Sequence, residues 1–257
     1  MKDTEKEGGV MLEILFILLI VFFVLIFFYK QSADEFHILQ IDQTTLDTLP
    51  ELLAEAHPLV IRGLGTPKIL TEEILKGNHR AQTLPVAIPH VLHQYLANPK
   101  GKPLIPLGAE VRKQAANELG LQVWAEHVWF PRIKEENPLA YTLSMDSEVY
   151  ISSMGMRMTT AAYTLIYPTN GTFTGSILVS GNTKFMPVWE DLFVAEMKPS
   201  EYPLLNEVQF MDIILRPGHM LILPPHWILS MKSTDRLPVF AWIEVHHPIS
   251  RLAKTLA

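Results

Sequence analysis

The chain has 257 residues, no cysteine and a formal net charge of −6. The absence of cysteine excludes disulfides, thiolate metal sites and cysteine nucleophiles. The negative balance, with no Lys/Arg cluster able to neutralise several phosphates, speaks against a nucleic-acid partner. Residues 1–9 form a polar tail in which Asp3, Glu5 and Glu7 stand beside Lys2 and Lys6. Residues 14–29, ILFILLIVFFVLIFFY, carry no charge. As a helix they span about 24 Å, and adding residues 10–13 brings the run to about 30 Å, the thickness of a bilayer's hydrocarbon core. The sequence therefore predicts a transmembrane helix over residues 10–30, with a lipid bilayer as partner and a single-pass membrane location. A cleaved signal peptide is the competing reading. The acidic leading segment and the lack of a small-x-small site at Gln31-Ser32-Ala33 oppose it. A core helix of a soluble protein is a third reading, opposed by the all-round hydrophobicity together with the terminal position. Lys2 and Lys6 before the run, against Lys30 after it, point to a non-cytoplasmic soluble domain.

Residues 31–35 read as a linker, and residues 36–257 as one domain. Its first half has helical spacing. Leu46, Leu49, Leu52 and Leu53 recur on one face, and Thr71 suits an N-cap before Glu72 and Glu73, with Gly77 as the stop. Pro89 suits the start of a helix carrying Val91, Leu92, Tyr95 and Leu96, and 111–119 another, closed by Gly120. The second half reads as short strands at 148–152, 158–167, 173–180, 183–188, 209–215, 220–223, 227–232 and 239–245, separated by Gly, Pro and Asn turns. The predicted fold class is α+β: the transmembrane helix followed by a double-stranded β-helix, a jelly-roll barrel with flanking helices.

Residues 215–232, LRPGHMLILPPHWILSMK, resemble the C-terminal strand pair of the cupin-like Jumonji C family, which reads approximately L-x-P-G-D-x-L-x-I-P-P-x-W-x-H-x-V. Pro217-Gly218 suits a tight turn, and Pro224-Pro225 ends a buried strand. Residues 58–63, PLVIRG, and 180–187, SGNTKFMP, are similar to two further segments of that family, in the same order. The resemblance covers residues 36–247 and implies a cupin barrel.

Active members of that family are similar in holding Fe(II) with a His-x-Asp/Glu pair and a distant His, with 2-oxoglutarate as co-substrate. Two imidazoles and a carboxylate on one face leave positions open for oxygen and co-substrate. The matching stretch here, residues 155–175, contains no His, Asp or Glu. Leu229 stands where the last His is expected, and His219 replaces the family's turn Asp. Lys184 alone matches a position that in some relatives meets the 2-oxoglutarate carboxylate. His219 and His226 are the candidates for a relocated metal site. His90 and His93, one helical turn apart, form a weaker pair. The sequence thus predicts no catalytic residue and no cofactor, and a membrane-anchored binding, scaffolding or structural module with an unknown protein partner. The alternative is an Fe(II)/2-oxoglutarate-dependent hydroxylase or other cupin enzyme with relocated ligands. A third reading is a barrel enclosing an apolar cavity for a small molecule.

Overall fold

The computed structural model describes residues 13–24, 37–99, 103–134, 142–186, 189–198 and 200–255. Helix α1 covers residues 13–24. The described part spans about 18 Å, and its large apolar side chains are mostly exposed, Phe16 at 64% and Leu15 at 63%. The membrane span expected over residues 10–30 is therefore corrected. Among the described residues no helix is long and apolar enough to cross a membrane, because about 30 Å of apolar helix is needed. Residues 10–12 and 25–30 lie outside the described residues. The single-pass location and the side assigned to the domain lose their basis with the span.

The first half is a layer of short helices. Between strands β1 (Leu39–Asp42) and β2 (Leu59–Arg62) lies α2 (Leu49–Ala54). Then come α3 (Glu72–Gly77), α4 (His79–Gln82), α5 (Leu92–Ala97), α6 (Ala109–Glu118), α7 (Leu121–Val128) and α8 (Phe130–Lys134). Local chemistry sets the boundaries. The Thr71 hydroxyl accepts from the Ile74 N–H at 3.5 Å, and Asn78 caps α4 through Arg80 and Ala81. Gly120, at φ +77°, makes the left-handed corner between α6 and α7.

The second half is strand-rich: β3 (Ser144–Tyr150), β4 (Met154–Met158), β5 (Tyr163–Asn170), β6 (Phe173–Val179), β7 (Met211–Leu215), β8 (Met220–Leu223), β9 (Trp227–Lys232) and β10 (Val239–His246), followed by α9 (Pro248–Thr255). The strand expected at 183–188 is replaced by a 3₁₀ turn, Ser180–Phe185. Thr183 bonds back to the Ser180 carbonyl there, the local competition by which hydroxyl side chains favour turns.

The strands form two sheets, β1-β2-β8-β5-β10-β3 and β4-β9-β6-β7. This corrects the expected barrel, since the strands do not close into one continuous sheet. Each sheet ends in edge strands, and among the described residues no ladder joins the two sheets. The turn between β8 and β9 shows why the sheets stay separate. Pro224 and Pro225 have no N–H to continue a ladder, and His226 at φ +65° redirects the chain. Buried Thr159 fastens this crossing. Its hydroxyl donates to the Pro224 carbonyl at 2.6 Å and accepts from the Trp227 N–H at 3.1 Å.

The period of two along β10 assigns its faces. Val239, Ala241, Ile243 and Val245 belong to the core shared with the helices. Phe240 and Trp242 belong to a second core, with Ile166, Leu221, Phe173, Leu229 and Met231, between the sheets. The central strands of the six-stranded sheet are thus buried on both faces.

Candidate functional site

The face of β10 that looks at the other sheet changes character along the strand. Apolar Phe240 and Trp242 give way to Glu244 and His246, and the register partners on β3 are Tyr150, Glu148, Asp146 and Ser144. Two carboxylates are carried into the interior in this way, and Glu148 and Glu244 are each 5% exposed. Carboxylates at such depth need partners. Arg157, on β4 of the facing sheet, supplies one. Its guanidinium lies 3.2 Å from Glu148 and 3.7 Å from Glu244, and it donates to the Tyr150 hydroxyl oxygen. The same group stands 4.9 Å over the Trp242 ring. Arg112 reaches in from α6, which packs on edge strand β3. Its Nε donates to Glu148 at 2.8 Å, and its guanidinium lies 4.5 Å over the Tyr150 ring.

The cluster continues to His246, 1% exposed. Its Nε2 is 3.2 Å from Glu244 and 3.6 Å from Asp146, which also meets Arg251 at 3.7 Å. The Trp242 indole N–H donates to Glu244 at 3.1 Å. Burial pushes the Tyr150 phenol up to about 12, against the opposing pull of Arg157. The phenol is therefore neutral across the physiological range. Two guanidinium groups match two buried carboxylates, so the charge is balanced internally. Removing one partner of such a buried pair costs about 3–5 kcal/mol.

Arg157 lies on β4, and its register partner on β9 is Leu229. An iron centre of two imidazoles and a carboxylate does not fit these residues. A fixed cation and an apolar side chain face the space that the ligands would line, and the two carboxylates nearby are already neutralised by arginines.

The sequence candidates lie elsewhere. Lys184 is exposed in the 3₁₀ turn, with its ammonium 4.9 Å from the centre of the Phe185 ring. His219 follows the β7–β8 turn, where Gly218 has φ +90°, and its N–H donates to the Arg216 carbonyl. His226 lies beyond the other end of β8, its backbone bonded to Thr159 and Ser180. Four strand residues between them amount to about 13 Å, so the two imidazoles belong to opposite ends of the strand. Among the described residues, no group of three or more His, Asp or Glu could hold a metal ion. His90 bonds to Gln94 at 3.3 Å. The buried Arg112, Glu148, Arg157 and Glu244 network was not singled out in the sequence. The available signal was charge inside apolar strand runs, GMRMT, SEVYI and WIEVH.

The chain matches no family model and no curated protein in sequence.

Proposed function

We propose that the domain works by binding rather than by iron-dependent oxidation. One observation supports this most directly: Arg157 stands between Glu148 and Glu244, in register with Leu229, at the place where the Jumonji C resemblance calls for metal ligands. The resemblance rests on the segments at 58–63, 180–187 and 215–232, which supply frame strands and turns rather than chemistry. On this reading the sheet pair is a scaffold whose interior is closed by an ion-paired plug. Recognition then falls to the outer surface, with a protein or other ligand as partner. Fold alone does not assign a function, so the reading rests on the occupied interior.

The test is Fe(II) titration of the full chain, with and without 2-oxoglutarate, followed by dialysis and metal analysis. The expected result is no retained iron and no consumption of 2-oxoglutarate. Iron retained at one equivalent, with 2-oxoglutarate consumed, would overturn the proposal.

A further inference from the structure

The outer face of the four-stranded sheet is divided. At one end Leu178 and its register partner Ile228 are buried with Met156, Met186, Met197 and Val208. The segment that follows the 3₁₀ turn covers them. Two residues further along each strand the apolar pair is replaced by Ser176 opposite Ser230, and then Thr174 opposite Lys232. The cover stops here, with Phe193 and Val194 forming a wall. The result is a groove of about 270 Å³, lined also by Thr172, Ser233, Thr234 and Asp235.

The lining has a definite chemistry. It presents a dense set of hydroxyls, each of which both donates and accepts. It holds one ammonium and one carboxylate. The ammonium is already engaged, since Lys232 lies 2.9 Å from Glu196 and 5.7 Å from the Phe193 ring centre. Asp235 accepts from the Thr172 N–H at 2.5 Å and still has its other oxygen. A phosphate or other anion would meet no free cation among the lining residues. Ser176 already donates to Asp212 at 2.7 Å and the Ser233 hydroxyl accepts the Asp235 N–H at 3.2 Å, while a purely apolar ligand would cover the remaining hydroxyls without pairing them, at a cost. Half-buried Phe193 adds one apolar surface beside the polar floor. The volume lies just below the roughly 300–1,000 Å³ of drug-sized pockets.

We propose that this groove binds a neutral polyhydroxyl ligand of the sugar class, its hydroxyls on the Ser/Thr floor and Asp235 and its C–H face on Phe193. The proposal goes beyond the reading above and does not depend on whether the interior holds iron.

The test is saturation-transfer NMR on the full chain with methyl α-glucoside, methyl α-mannoside and N-acetylglucosamine at millimolar concentrations, with inorganic phosphate as competitor. At least one sugar is expected to show transfer that phosphate does not displace. Thr174→Val keeps the shape of an exposed strand residue and removes one hydroxyl, and is expected to weaken binding about fivefold, as for one neutral hydrogen bond. Phe193→Ala is expected to weaken it at least as much, and Lys184→Ala, outside the groove, to leave it unchanged. Circular dichroism of each variant establishes that it is folded. Absence of transfer from all three sugars, transfer unchanged in both groove variants, or displacement by phosphate would each overturn the proposal.

Discussion

At Gly155 the backbone of β4 comes against a neighbouring backbone. A Cβ built there would stand 2.1 Å from the Asp191 carbonyl oxygen. The approach is fixed by two bonds, Met156 N–H to the Leu192 carbonyl at 2.8 Å and Asp191 N–H to the Met156 carbonyl at 3.1 Å. Asp191 itself has φ +59°. Because backbone cannot rotate away as a side chain would, Gly155→Ala must part these segments. It is expected to cost at least about 2 kcal/mol, lowering Tm by roughly 4–8 °C for a domain of this size. Gly181→Ala, with open space around its Cβ, should stay within about 0.5 kcal/mol. Equal melting temperatures for the two variants would refute this account. Single residues of this kind were hard to read in the sequence. Gly155 and Arg157 acquire their meaning from Asp191, Glu148 and Glu244, and no local pattern links positions so far apart along the chain.

The elements were more legible where turn chemistry is explicit. Pro217-Gly218 and Pro224-Pro225 bracket β8, and the strands read at 220–223 and 227–232 coincide with β8 and β9. Segment 183–188 misled because Thr, Phe and Val suit a strand, while the bond from Thr183 to Ser180 holds a turn. The sequence expectation does not include α7 and α8: Gly120 reads there as the end of the helix before it, and Pro131, in the first turn of α8, carries no side-chain cap beside it. The start of α9 carries a testable device. The His247 Nδ1 accepts the Ser250 N–H at 3.0 Å, and the Ser250 hydroxyl accepts the His247 N–H at 3.0 Å, a reciprocal cap. Only an unprotonated Nδ1 accepts. Burial first, and then the charge of His246, lowers the His247 pKa, although its backbone hydrogen bond pulls the other way. The sign follows. A depressed folded pKa gives stability that is present above the unfolded value of 6.5 and is lost as pH falls through the folded value. As pH falls through that lowered value, below 6.5, the cap is expected to weaken by about 1 kcal/mol, seen as faster amide exchange at Ser250, and His247→Ala should abolish that pH dependence. Exchange at Ser250 that ignores pH, after correction for intrinsic rates, would show that the imidazole is no cap.

At the scale of the molecule, two-sided burial of the central strands of the six-stranded sheet decides how the domain behaves. Sequence patterning anticipated a helical half followed by a strand half, yet it could not show that β1 and β2, from the first half, complete the sheet of the second. Nor could it separate two open sheets from a barrel, since both alternate inward and outward residues with the same period. The apolar run at the N-terminus has the length and flanking charges of a membrane span, yet among the described residues no helix is long and apolar enough to cross a membrane. The topology has a thermodynamic consequence. Every residue of β10 is buried, with the helical layer on one face and the second sheet on the other. Loss of either layer exposes the same central strands, so neither can melt while the other keeps its core. Urea unfolding is therefore expected as a single transition, although the chain is larger than most two-state domains. Far-ultraviolet circular dichroism, which follows the helices, and fluorescence of a variant with Trp124, Trp129 and Trp189 replaced by Phe, which leaves Trp227 and Trp242 between the sheets, should share one midpoint. The slope should lie near or above the top of the roughly 1–3 kcal/mol/M range of small proteins, in keeping with the surface exposed. Separated midpoints would mean that helices and sheets are independent units and that β10 does not couple them.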